Sequence, residues 1–385
     1  MQVLLVACGA AHLPHIACAL QSRRALAGLW VSSANSTGIS ADRFRRAWPF
    51  HLAAKPFYIL KGRGYPERIY HALFPLWWLW LRQQRPPPFD AVHAIMGYGS
   101  EPFDLAEKIG ALKVVDASSS HPSTFHGFWQ RECDIWCPGA KVTIPRWLFA
   151  RANRDLERAD LIACPSCFVR DSMIYNGIPK SKCVLNPYGV DTSIFTPRTS
   201  LPAHTRLICV GTICLRKGHQ YLFRAFQKVR QVLPKAELVC AGDYHPDFRR
   251  EKPRWRGTFT HYPHVSHAEL AKLFHESTAF VLPSNEEGFA RAIIEAMSAG
   301  LPIVATYQSG ATTLVTDGVE GLIVNARDID QLASALIKVA TDLQLNEKMG
   351  RAAYERGARK NTWGDYADRL LSTYSGFLSG RRTAV

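Results

Sequence analysis

The sequence predicts an α/β protein of two doubly wound domains, and three observations carry that expectation. Short apolar runs alternate with helical stretches along the chain, the pattern of a parallel sheet covered on both faces. A length of 385 residues exceeds what one hydrophobic core usually serves. Polar and glycine-bearing loops follow several apolar runs, where the carboxyl ends of strands in such sheets gather ligands. With 47% apolar and 21% charged residues and no repeat or low-complexity tract, the chain reads as an ordinary globular protein.

In the first half the strand candidates are Val3–Ala7, Leu29–Ser32, Ala91–Ile95, Leu112–Asp116 and Leu161–Cys164. The N-terminus is apolar but lacks a basic leader and runs at once into Gly9, Ala10 and His12, so it reads as a buried first strand and not a signal peptide. His12 and His15 follow it as candidates for contact with an acceptor. Phe74–Leu81 is the most hydrophobic patch but is far short of the ~20 residues that span a bilayer. The fourth strand opens into the polar loop Asp116–Ser123, in which His121 precedes a proline and is therefore biased to extended backbone.

In the second half Leu207–Val210 leads into Gly211-Thr-Ile-Cys-Leu-Arg-Lys-Gly218 and a helix Gln220–Leu233 stopped by Pro234. Gly211 and Gly218 allow close backbone approach, and Arg216 and Lys217 place positive charge at the mouth of the loop, so an anion such as a diphosphate is the natural partner. The spacing is neither a dinucleotide fingerprint nor a P-loop. Ser277–Pro283 is the next strand, followed by a Glu286-Glu-Gly-Phe loop and an apolar helix closed by Gly300 and Pro302. Glu295 lies inside that helix among alanines, isoleucines and a methionine, a costly place for a carboxylate without a partner. Glu287 and the free amides of Gly288, Phe289 and Ala290 precede it, an arrangement suited to a polyhydroxyl ligand such as a sugar. The competing reading pairs Glu295 with a core arginine and leaves Glu287 as a solvated turn residue. Leu301–Ala305 and the loop Tyr307–Ala311 repeat the strand–loop pattern, Asp328 reads as a helix cap before Gln331–Val339, and Trp363–Leu378 forms a final helix.

These segments together resemble the retaining glycosyltransferases of family 4 (glycosyl transferases group 1), which have the GT-B fold. The resemblance is carried by Val210–Gly218, His264–Leu270, Pro283–Gly300 and Ser309–Val324, with Ala159–Ser166 and Tyr188–Phe195 upstream. It implies two Rossmann-like domains facing a cleft: an acceptor-binding domain over 1–195, a nucleotide-sugar-binding domain over 204–362, and a C-terminal helix over 363–385 crossing back to the first. It further implies a donor site of Gly211, Thr212, Val265, Gly288, Phe289, Ala290 and Glu295. Glu295 would sit on the ribose and Glu287 on the sugar. Lys217 and Arg216 would face the departing diphosphate, and His121 would be the cleft histidine. The donor would be a UDP- or GDP-linked sugar acting as co-substrate, with no cofactor and no metal. The chain departs from the family where many members carry Arg in place of Thr212, and Gly and Glu in place of Ala311 and Thr313. It also departs where most have paired glycines in the first loop, here Gly9-Ala-Ala.

The net charge of +15 calls for an anionic partner. Arg43-Phe-Arg-Arg46, Trp48, Phe50, Lys55, Phe57, Tyr58, Lys61 and Arg63 interleave basic and aromatic residues, as in a membrane interface or a single-stranded nucleic acid site. A solvated face with its aromatics in the core is the plainer reading. No nucleic-acid motif is present and a polyhydroxyl site argues against that partner. The acceptors of the resembling family, many of them lipid-linked, favour an anionic membrane surface. Ten cysteines with several in apolar strands suit reduced thiols in a cytoplasmic protein, peripheral at most to the inner membrane face. Cys133, Cys137, Cys164 and Cys167 have spacings too loose for a zinc site. The expected activity is sugar transfer to a hydroxyl of a glycan or lipid-linked acceptor, in surface, exo- or lipopolysaccharide or glycolipid synthesis. A nucleotide-sugar epimerase and a non-catalytic sugar- or polyanion-binding protein are the alternatives; a nicotinamide dehydrogenase is disfavoured by the missing fingerprint.

Overall fold

The computed structural model describes residues 1–9, 12–32, 38–60, 72–139, 141–142 and 144–383. The first sheet comprises β1 (Val3–Ala7), β2 (Leu26–Val31), β3 (Phe44–Arg46), β4 (Ala91–Ile95), β5 (Leu112–Asp116), β6 (Leu161–Cys164) and β7 (Cys183–Leu185). The second comprises β8 (Arg206–Val210), β9 (Glu237–Ala241), β10 (Thr260–Tyr262), β11 (Ala279–Leu282), β12 (Ile303–Thr306) and β13 (Gly321–Val324). Their orders, β3-β2-β1-β4-β5-β6-β7 and β10-β9-β8-β11-β12-β13, are the same doubly wound scheme, and neighbouring strands pair in parallel. Strand order reverses between β1 and β4 and between β8 and β11, so the loops after β1 and β8 stand at the two crevices where such sheets bind ligands. Of the central strands, β1 and β11 are buried throughout. Their unbroken apolar runs are what helices on both faces require.

The basic and aromatic run of the sequence divides in the fold. Phe44–Arg46 is the edge strand β3, and Arg43 donates from Nη1 to the Leu26 carbonyl at 2.7 Å. Phe50 turns into the core with Phe74, Trp77 and Leu81, because the helices Trp48–Leu60 and Phe74–Gln83 need an apolar face against the sheet. Trp48, Leu52 and Leu79 stay outside, 55, 60 and 57% exposed. Lys61, Arg63 and the residues Ala10 and Ala11 of the first loop lie outside the described residues, as do the side chains of Phe57 and Tyr58.

The last helix, Trp363–Thr383, returns to the first domain. Arg23 pairs with Asp368 at 2.5 Å, and Arg369 donates to Asn186 at 2.9 Å. Deeper, Tyr374 meets His93 Nδ1 at 2.6 Å, and His93 Nε2 lies 3.1 Å from Asp116. The same buried carboxylate receives His12 Nε2 at 2.7 Å and the Tyr188 hydroxyl at 2.9 Å. Asp116 thus ties β5 to the loop after β1, to β4, to the chain leaving the first domain and, through His93, to the final helix. Burial pushes its carboxyl up, but His12 and His93 outweigh that and hold it well below the ordinary carboxylate range.

Asp116→Ala should cost about 3–5 kcal/mol in denaturant unfolding, because it strands several buried donors at once. A native value below the ordinary 3.8 means that the stabilisation is complete above that pH and drains away as the pH falls below it. Melting of Asp116→Asn between pH 3 and 7 should show a flatter acid limb than the parent; an identical limb would mean that the charge contributes nothing.

Candidate functional site at the domain cleft

The loop after β8 begins at Gly211, whose φ of +130° is open to glycine. A Cβ there would stand 2.8 Å from Lys217 Nζ, so the missing side chain is where the lysine folds back. Lys217 Nζ lies 2.8 Å from Glu287 Oε2. Arg216 Nη1 donates to the Glu286 carbonyl at 2.7 Å and to its Oε2 at 2.8 Å, with Glu287 Oε2 at 3.6 Å. Burial raises the Glu287 carboxyl, but Lys217 and then Arg216 overcome it and leave it below its usual value. Burial likewise opposes charge on Arg216, and Glu287 and Glu286 reverse the sign. The two cations predicted from sequence are therefore already balanced by two adjacent carboxylates.

The loop from β11 supplies both. Gly288 is pressed against the first domain: a Cβ there would lie 2.0 Å from the Ser118 carbonyl oxygen, so no larger residue fits. Among the described residues no acceptor meets the amides of Gly288, Phe289 and Ala290, which precede the helix Arg291–Ser298. Glu295 sits on that helix half-buried. No hydrogen bond or ion pair engages its carboxylate among the described residues, which overturns the reading that a core arginine partners it. Burial raises its carboxyl, partly offset by Arg291 and His267 nearby.

His121 does not point into this cluster through Nδ1. That nitrogen accepts from the Ser123 amide at 3.2 Å and caps the helix Pro122–Trp136. First-domain residues brought against the second-domain loop include Ser118, at Gly288, and Ser120, whose Oγ donates to Glu286 Oε1 at 2.7 Å. Thr212 is exposed and Val265 half-buried. Thr313, one of the departures from the family pattern, accepts from the Cys167 amide at 2.9 Å across the domain boundary. His15 stacks on Trp363, 5.0 Å between ring centres, and His12 is committed to Asp116.

The helix Pro122–Trp136 belongs to the first domain but faces the second along much of its length. Glu132, fully buried, pairs with Arg327 at 2.6 Å and accepts from Gln220 at 2.8 Å and Tyr221 at 3.0 Å. Trp129 donates to Asp247 at 3.0 Å. Sequence reading did not single out Glu286, Ser120 or Glu132. For Glu286 a signal existed, a second glutamate directly before Glu287; for Glu132, one of two acids in a mixed helix, there was none.

Residues 204–342 match the family model described as glycosyl transferases group 1, and this part of the chain is a domain of that kind. A D-inositol 3-phosphate glycosyltransferase of Stackebrandtia nassauensis is 31% identical over 233 residues, 54% of this chain and 52% of that protein. A glycogen synthase of Mycobacterium tuberculosis is 31% identical over 271 residues, 68% of this chain and 64% of that one. The chain spans about half the length of the first of these curated relatives. Among solved structures, sucrose-phosphate synthase from Thermosynechococcus elongatus superposes with a TM-score of 0.68 at 17% identity, covering 99% of this chain and 100% of that one. HepE of Anabaena in complex with UDP-glucose gives 0.69 at 15% identity, covering 97% and 99%. The fold is GT-B.

A buried carboxylate without a partner is a cost that a ligand would relieve. Glu295→Gln should therefore leave the melting temperature of the unliganded protein unchanged or raise it, by differential scanning calorimetry at pH 7. A drop of several degrees would show that Glu295 has a structural partner after all.

Proposed function

We propose that this chain, whose second domain belongs to glycosyl transferases group 1, is a retaining glycosyltransferase that moves a sugar from a nucleotide-sugar donor to a hydroxyl acceptor. The observation that carries the reading is the cluster at the ends of β8 and β11. There a lysine pairs with a carboxylate, and the loop and helix that follow carry three amides without acceptors and a glutamate without a hydrogen bond or ion pair among the described residues. The diphosphate would take Lys217 from Glu287, and Glu287 would then be free for a sugar hydroxyl. Glu295 would receive the ribose diol, and the amides of residues 288–290 would hold the sugar and its phosphate. Lys217 stabilises the charge that grows on the leaving diphosphate, and such preorganised stabilisation of developing charge usually lowers the barrier more than any other effect. With that cation in place the reaction as proposed needs no metal. Arg216 adds to the field while held by Glu286, and His121 lines the first-domain side as the cap of its helix.

Retention places the incoming oxygen and the departing phosphate on the same face of the sugar. The bond from the anomeric carbon to the phosphate oxygen breaks as that to the acceptor oxygen forms, and the acceptor proton passes to the phosphate. A UDP- or GDP-sugar is the donor class, and the UDP-glucose held by HepE makes it the first to try. The acceptor is a glycan or a lipid-linked sugar of surface polysaccharide, lipopolysaccharide or glycolipid synthesis. For a lipid-linked acceptor the first domain would dock on the inner face of the membrane. Support comes from exposed Trp48, Leu52 and Leu79 beside exposed Arg45, Lys55 and Arg82, apolar and basic groups together as interfacial binding needs. No helix among the described residues is long and apolar enough to cross a membrane.

A thermal-shift screen against UDP-, GDP- and ADP-sugars should single out one base, and turnover should then require an acceptor. Conversion of donor alone would indicate an epimerase, and binding without turnover on any acceptor a sugar-binding protein. Lys217→Ala should lower kcat about 10²-fold or more. Glu295→Gln should weaken nucleotide binding, and Glu287→Ala should reduce kcat more than affinity; parent-like behaviour of all three would refute the assignment.

Vesicle flotation tests the docking surface. Binding should rise with anionic lipid, fall with salt, and be lost when Arg45, Lys55 and Arg82 become Glu while donor affinity stays. Salt-insensitive binding or none would mean a soluble acceptor.

A further inference from the structure

Glu286 is fully buried and cannot touch a donor, yet it is a carboxylate beside the reactive cluster. Its Oε1 accepts from Ser120 Oγ at 2.7 Å and from the Ser120 amide at 3.3 Å. Its Oε2 accepts from Arg216 Nη1 at 2.8 Å, and its backbone carbonyl holds the same nitrogen at 2.7 Å. Ser120 lies in the first domain, two residues beyond Ser118, which abuts Gly288. Arg216 and Glu286 belong to the two second-domain loops that carry Lys217 and Glu287. One buried carboxylate therefore joins three loops, and each is next in sequence or in space to a group assigned to the donor.

We propose that Glu286 is a positioning residue, which makes closure of the domains and alignment of the Lys217–Glu287 pair one event. With Ser120 in place the carboxylate has its full set of donors, and the 284–290 loop is held at the depth where Gly288 meets Ser118. When the domains part, Ser120 leaves, the buried charge loses its donors on one side, and the loop relaxes around Arg216 alone. An incomplete set of partners around a buried charge is costly, so the open state is penalised where the sugar would sit. Ser166 Oγ, which donates to the Gly288 carbonyl at 2.6 Å, reinforces the same contact from the first domain. The inference rests on the donor roles of Lys217 and Glu287 given above.

The test separates alignment from binding in the full-length protein. Glu286→Ala should lower kcat by about 10- to 100-fold, the loss expected from small misplacement of reacting groups, while calorimetric affinity for UDP stays at the parent value. Ser120→Ala, which leaves the carboxylate and Arg216 in place, should lower kcat in the same sense. The double variant should be no worse than Glu286→Ala, as groups acting through one contact are not additive. Equal losses in UDP affinity and kcat, parent-like kcat in both single variants, or multiplicative losses in the double variant would each overturn the proposal. If Glu286→Ala does not fold, Ser120→Ala alone decides by the same split between kcat and UDP affinity. Amide exchange at residues 118–121 reads the link without turnover: it should quicken in Glu286→Ala and not in Lys217→Ala. A parent that turns over no nucleotide sugar would defeat the proposed function, whereas unchanged exchange in Glu286→Ala would defeat this one.

Discussion

A carboxylate cut off from water must find its donors inside the protein, and in this chain that requirement does much of the assembly. Asp116 takes its donors from the loop after β1, from β4 and from Tyr188. Glu132 and Glu286 take theirs from the second domain or from both. Each of these acids is fully buried, so each is satisfied only when the distant segments are in place. Hydrophobic burial gathers the two sheets, but it is indifferent to small rotations of one domain against the other. Directional bonds to buried charges are not indifferent, and they select one arrangement.

The same constraint explains why the cleft cluster is balanced before any ligand arrives. Two cations on one loop and two acids on the next would be costly apart, and they meet as Lys217 with Glu287 and Arg216 with Glu286. The two pairs differ in consequence. Glu286 is sealed and shared with Ser120, so Arg216 is a fixed part of the frame. Glu287 retains some exposure, so of the two pairs its hold on Lys217 is the one nearer to solvent. Glu295 completes the contrast as an acid that no hydrogen bond or ion pair engages among the described residues.

The first domain shows how one stretch of sequence serves two ends. Between Arg43 and Leu81 aromatic and basic residues alternate too irregularly for a single role. Folding assigns Phe50, Phe74, Trp77 and Leu81 to the core and leaves Trp48, Leu52 and Leu79 on the outside. Arg46 remains near that surface, its guanidinium 4.9 Å from the Trp48 ring centre, a contact that keeps charge beside an exposed aromatic.

By itself the sequence determined the two parallel α/β sheets, the main strands and the charged, glycine-bearing loops at their carboxyl ends. Burial on both faces writes itself as unbroken apolar runs, and ligand loops write themselves as glycines and charges after those runs. Lys217, Glu287 and Glu295 stood out as candidates on that basis, because each breaks the local pattern at a loop or inside an apolar helix. The edge strand Phe44–Arg46 was not, since an exposed edge needs no apolar code. Nor was the partnering of the acids. Whether Glu295 had an arginine and whether Arg216 was held by the frame were decided by contacts between residues far apart in the chain. Tertiary structure alone settled these, because a hydrogen bond between Ser120 and Glu286 spans a separation of 166 residues, and no local pattern records which distant donor a buried charge will meet.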